Sequence, residues 1–304
     1  MHTVTAPSHI CIYHHIAIGN ATAKFLDLLM TVGHQGPFIL DLRGTKYVSA
    51  AAALMLFAHV NFLQLLYGSR DRVRCLFPSK KDNPEGHQCV VGTQLARALT
   101  SGSLEALEKL VVDKVFFQSS NDVNAHAEIT VSQLTEKLEL AEDDQLLQML
   151  GSAIGEAMLN VKHHAYAHNP EVFTGDLASR WWQYARFDAE KGDFTFLIYD
   201  LGLGILKSYK SSVDTPKADK HLLEEALSFG CSRFSATHPN RGCGSEDLKH
   251  PVNCGETLLI CCDDLRYIYK GDPDTAKIER TVFELHGSLV EWTLKTADAQ
   301  KEAP

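Results

Sequence analysis

The chain has 304 residues, 45% hydrophobic and 22% charged, a globular balance that excludes a disordered or collagen-like chain and fits two domains. A net charge of −9 argues against duplex nucleic acid or an anionic membrane as the main partner, while leaving a local nucleotide site open. The eight cysteines (Cys11, Cys75, Cys89, Cys231, Cys243, Cys254, Cys261 and Cys262) form no CxxC pair, so no zinc ribbon is indicated and reduced cytoplasmic thiols are expected.

Residues 1–9 are polar and lack a basic lead, so no secretory signal is read. Residues 9–18 alternate, with Ile10, Ile12, Ile16 and Ile18 on one side, which predicts a strand. A short buried strand is expected at 38–42, then a helix over 49–67 with Ser49 as N-cap. That helix is the most membrane-like run, but Ser49, His59, Asn61 and Gln64 fit a buried core helix better, so the chain reads as soluble. A strand at 73–77 and helices at 90–99 and 104–112 complete a small α/β domain, 1–118. The polar stretch 119–130 marks the boundary to a second domain, 119–304. There a long helix is expected over 143–164, then a hairpin of strands 181–188 and 194–199 turning at Lys191-Gly192. A helix at 222–227 and four meander strands at 257–262, 266–269, 280–285 and 289–294 follow. The second domain therefore reads as an α/β sandwich on a mixed, largely antiparallel sheet.

Four segments carry polar chemistry. Glu156, Asn160 and His164 recur every four residues and share one helix face. A carboxylate can activate water, an amide oxygen suits Mg²⁺ and an imidazole can donate to phosphate; a solvated helix face is the plain alternative. Asp200-Leu201-Gly202-Leu203-Gly204-Ile205 puts a carboxylate at a strand end beside two glycines, where a flat ring could approach; a capped turn is the alternative. Gly230 to Arg233 and Arg241-Gly242-Cys243-Gly244 could cradle phosphates, or form a plain surface loop. Gly287-Ser288 could serve a base edge, or only a hairpin turn.

In this order and spacing, the four segments resemble the boxes of the GHKL superfamily, the histidine-kinase-like ATPases that include gyrase B, heat-shock chaperone ATPases and anti-sigma-factor kinases. Glu156-x-x-x-Asn160-x-x-x-His164-Ala165 looks like its N-box, and Asp200-x-Gly202-x-Gly204-Ile205 like its first glycine box. Arg241-Gly242-x-Gly244 looks like the second, and Gly287-Ser288 stands where the family has Gly-Thr. The resemblance spans about half the chain, residues 143–295. It implies a Bergerat-type sandwich that binds and hydrolyses ATP with Mg²⁺. Glu156 would position the attacking water, Asn160 ligate Mg²⁺ and His164 contact phosphate. Asp200 would read the adenine amine, supported by Ser288, with Gly202, Gly204 and Ile205 shaping the pocket. Arg241, Gly242 and Gly244 would close a lid over the triphosphate. Two features depart from the family: Ser245 stands where it prefers Leu, and no gyrase-type catalytic lysine is identifiable.

Ile39-Leu40-Asp41-Leu42 followed by Val48-Ser49-Ala50-Ala51-Ala52 is similar to STAS domains, the bacterial partners of anti-sigma kinases. In that family Ser49 would be a phosphorylation position; its other reading is a simple N-cap. The combined resemblance implies a cytoplasmic regulatory ATPase acting on a partner protein, in the manner of homodimeric relatives. Three alternatives remain: a non-hydrolysing nucleotide sensor or scaffold, an anti-sigma-like serine kinase, and a metal hydrolase built on His163, His164 and His168. His126 lies too close to Glu156 to serve a histidine autokinase and is read as a surface residue.

Overall fold

In the computed structural model, which describes residues 2–13, 15–141, 143–166, 173–188, 190–210, 217–228 and 244–296, the first elements alternate strand and helix. They are β1 (His2–Thr5), β2 (His9–Ile10), α1 (Ile16–Gln35), β3 (Phe38–Asp41), β4 (Tyr47–Val48), α2 (Ala50–Leu66) and β5 (Val73–Leu76). Short helices α3 (Pro84–His87), α4 (Leu95–Leu99) and α5 (Leu104–Val112) precede β6 (Phe117–Ser120). Strands β1, β3 and β5 form a parallel sheet in that order, with α1 and α2 as the crossovers that parallel pairing requires. Phe38, Leu40 and Leu42 are fully buried, as the alternation of a core strand demands.

The α2 helix forms where four alanines follow a serine, and the Ser49 hydroxyl accepts the Ala52 N–H at 3.4 Å. Gly68, at φ +57°, follows its last turn. Its polar side chains are absorbed inside the fold: Asn61 donates to the Ser101 carbonyl, and Gln64 to the Arg70, Val73 and Leu99 carbonyls. Ser49 itself is buried, and capping α2 is its observed role.

Two expectations are corrected here. The strand expected over 9–18 ends at Ile10, and Ile16 and Ile18 belong to α1, which periodicity missed. The helix expected over 90–99 is instead a π turn, Gln88–Gly92, followed by α4, with Gln94 in a left-handed conformation at the junction. Among the described residues, α1 is the one helix long and apolar enough to cross a membrane; its Phe25, Leu26 and Leu29 are buried in the fold.

The later elements are α6 (Val123–Leu138), α7 (Gln145–Asn160), β7 (Trp181–Asp188), β8 (Asp193–Tyr199), α8 (Ile205–Lys210), α9 (Asp219–Ala226), α10 (Gly244–Asp247), β9 (Thr257–Tyr269) and β10 (Lys277–Lys295). The larger sheet runs β6-β7-β8-β10-β9, with β10 antiparallel to both neighbours. The molecule is thus mixed α/β with a five-stranded antiparallel sheet. Two compact units are distinguished: Met1–Ser119 with Val172–Ala178 and Trp182–Tyr184, and the remainder of the chain.

Four departures from the sequence expectations concern this second part. The polar stretch 119–130 already contains the start of α6, because Asp122 caps the Asn124 and Ala125 amides. His126 on that helix is buried against Trp181, not at the surface. The long helix ends as an α-helix at Asn160 and continues as a π turn, Val161–Ala165. The four meander strands are two long ones, because β10 bulges between Arg280 and Leu285 and again before Ser288 instead of turning back. Helix α7 buries one apolar stripe: Leu147, Leu150, Ala153, Ile154, Ala157 and Met158.

Candidate functional site

Strand β8 delivers Asp200 to the sheet end, where the carboxylate is 4% exposed and bonded to no cation among the described residues. Backbone amides hold it: Gly202 N–H donates to Oδ1 at 2.8 Å and Ser288 N–H to Oδ2 at 3.2 Å. The Asp200 N–H in turn donates to the Ser288 carbonyl at 3.1 Å. Burial pushes the Asp200 carboxyl up to about 7, against the downward pull of these donors. After the Gly202 amide, the Ser288 amide and the Ser288 hydroxyl, the carboxylate keeps lone-pair capacity, so the group can take a further donor.

The loop after Asp200 leaves few loose amides. Leu201 N–H donates to the Tyr166 hydroxyl at 3.1 Å, Leu203 N–H to the Ala165 carbonyl at 2.7 Å and Ile205 N–H to Ser288 Oγ at 3.1 Å. The last of these satisfies an orphan amide at the start of α8. Glycine is required by space and by conformation. A Cβ on Gly202 would stand 2.3 Å from the Ala165 carbonyl oxygen. Gly287 has φ +81°, and a Cβ there would lie 1.9 Å from the Asp200 carbonyl oxygen. Gly204, at φ +85°, approaches the Gly287 carbonyl in the same way.

Asp200, Gly202, Gly204, Ile205 and Ser288, read from two segments far apart in sequence, therefore come together at one point, with Ala165 beneath them. Glu156 and Asn160 lie one turn apart on α7 and are half-buried, as is His164. Glu156 and Asn160 share a face of α7, and His164 follows in the π turn, whose next residue, Ala165, lies against Gly202. Arg241 and Gly242 lie outside the described residues, as does the segment 230–233; Gly244 opens α10. His163 and His164 rings meet edge to face at 6.2 Å, and His168 is outside the described residues. Among the described residues no three His, Cys, Asp or Glu side chains converge as a metal cluster.

Sequence reading missed Tyr166, whose buried hydroxyl donates to the Arg180 carbonyl at 2.5 Å while accepting from Leu201. It also missed the Lys207 pairings to Asp263 (2.5 Å) and Glu284 (2.8 Å), which tie α8 to β9 and β10. No spacing signal marks either, since the partners are 14 or more residues away. Comparison with family models, with curated proteins and with solved structures returns no match.

Proposed function

We propose that the second unit binds ATP in the GHKL manner and that the first is a STAS-like interaction domain, making the chain a regulator of a partner protein. One observation carries the reading: a buried carboxylate, Asp200, held by loop amides in a turn that only glycines can form, packed against the end of the helix bearing Glu156 and Asn160. A carboxylate so placed accepts from an exocyclic amine and repels a carbonyl, which favours adenine over guanine. Ser288 is spent on the Ile205 amide and on Asp200, so its part is to brace the base-reading group.

Mg²⁺ fits the donor chemistry of α7. Glu156 and Asn160 offer oxygens on one face, and among the described residues no three His, Cys, Asp or Glu side chains form a metal cluster there. That is a suitable set for a cation bound mainly through substrate phosphates and water, and Asn160 would hold it. When bound, the ion would neutralise phosphate charge; Glu156 would orient water at that end. The parallel β1-β3-β5 sheet and the capped α2 support the STAS-like reading of the first unit.

The test is calorimetry of ATP with Mg²⁺ on the wild type and on Asp200→Asn, followed by phosphate release. Micromolar binding that is lost in the variant supports the reading. A folded wild type that binds no ATP overturns it. Phosphate release then separates an ATPase from a sensor, and serine phosphate on a partner identifies a kinase.

A further inference from the structure

We infer that Tyr166 is a positioning residue that sets the base selectivity of the Asp200 site. This rests on the nucleotide-binding reading of that site. The hydroxyl has one proton, and the Arg180 carbonyl at 2.5 Å takes it. Its lone pairs are thereby aimed at the Leu201 N–H, 3.1 Å away. This polarity fixes the peptide plane that leaves Asp200. The plane that enters is fixed separately, by Asp200 N–H on the Ser288 carbonyl. Ala165, one residue before Tyr166, fixes the Leu203 amide two positions further on. Consecutive residues at the end of the π turn thus clamp the turn from beneath, while the carboxylate itself is left to Gly202, Ser288 and a ligand.

Without the hydroxyl, the half-buried Leu201 N–H loses its acceptor and would turn to the carboxylate one residue back. A donor spent there uses the capacity that an adenine amine needs. A guanine, which presents a carbonyl at that edge, gains relatively. Tyr166→Phe removes the hydroxyl and keeps the ring, so packing is preserved.

The experiment measures ATP and GTP binding with Mg²⁺ to the wild type, Tyr166→Phe and Asp200→Asn, together with the thermal midpoint of each protein without nucleotide. The preference for ATP over GTP is expected to fall by about tenfold in Tyr166→Phe, with GTP affinity nearly unchanged. Equal weakening of both nucleotides, with the preference intact, would mean a merely structural role and overturns the inference while leaving the nucleotide reading in place. A wild type that binds neither nucleotide overturns both. Amide exchange on the wild type alone is a second measure, valid even where the variant does not fold. The Leu201 amide is expected to be protected before ATP is added. Free exchange there, slowed only on binding, would show that the clamp does not exist beforehand.

Discussion

Replacing Asp200 by Asn should make the fold more stable in alkali and should leave that gain absent in acid. The carboxyl is buried and its pKa is raised from 3.8 to about 7, so the folded state binds its proton more tightly than the unfolded chain does. For a carboxyl raised in this way, its favourable contribution is fully present below the unfolded value and is lost as pH rises through the folded one. A pKa raised by about 3 corresponds to about 4 kcal/mol in total, of which about 3 kcal/mol falls between pH 5 and pH 8. The Asn amide turns an N–H₂ toward either Gly202 or Ser288, which costs about 1–3 kcal/mol at every pH. The pH-dependent part is therefore the diagnostic. Urea unfolding of both proteins at pH 5, 6.5 and 8 should show the variant gaining about 3 kcal/mol relative to the wild type across that range. A difference that stays constant from pH 5 to 8 would show that Asp200 does not titrate in a buried setting, and would remove the physical basis of the site.

Gly287→Ala should destabilise by about 2 kcal/mol or more, because φ +81° is strained for alanine and the new Cβ would stand 1.9 Å from backbone oxygen; a thermal midpoint within a degree of wild type would contradict this. Asn61→Leu should cost about 2–4 kcal/mol, since it strips the acceptor from the Trp182 indole N–H (2.9 Å) and the donor from the Ser101 carbonyl, both buried; denaturant midpoints read it out. His126, buried with its pKa lowered to about 4, contributes stability that is present above the ordinary histidine range and lost as pH falls from about 6.5 toward 4. His126→Gln should flatten that acid limb by about 2 kcal/mol, checked by unfolding at pH 7 and pH 4.5.

Local signals were the legible ones. Ser49 as a cap, the apolar recurrence along 143–164 and the short apolar run at 38–42 act within a few turns or one strand, and each marked its element in the sequence. The same locality explains the errors. The isoleucines at 10, 12, 16 and 18 alternate whether or not a strand continues, and only the packing of Phe25, Leu26 and Leu29 makes 16–35 a helix. His126 sits in a polar run and looks exposed until Trp181, more than fifty residues on, covers it.

The candidate site divides in the same way. Sequence alone determined which residue types stand at 156, 160, 200, 202, 204 and 288, because glycines and carboxylates at strand and helix ends leave a readable order. Tertiary structure decided the rest. It wound Val161–Ala165 into a π turn whose last residue, Ala165, meets Gly202. It carried β10 on through a bulge where one turn was expected, before Ser288, which pairs Ser288 with Asp200. It placed the Tyr166 hydroxyl between Leu201 and Arg180. Each of these depends on pairing an amide or a carbonyl with a partner distant in the chain. A buried polar group must find such a partner, but sequence does not say which one the fold will bring.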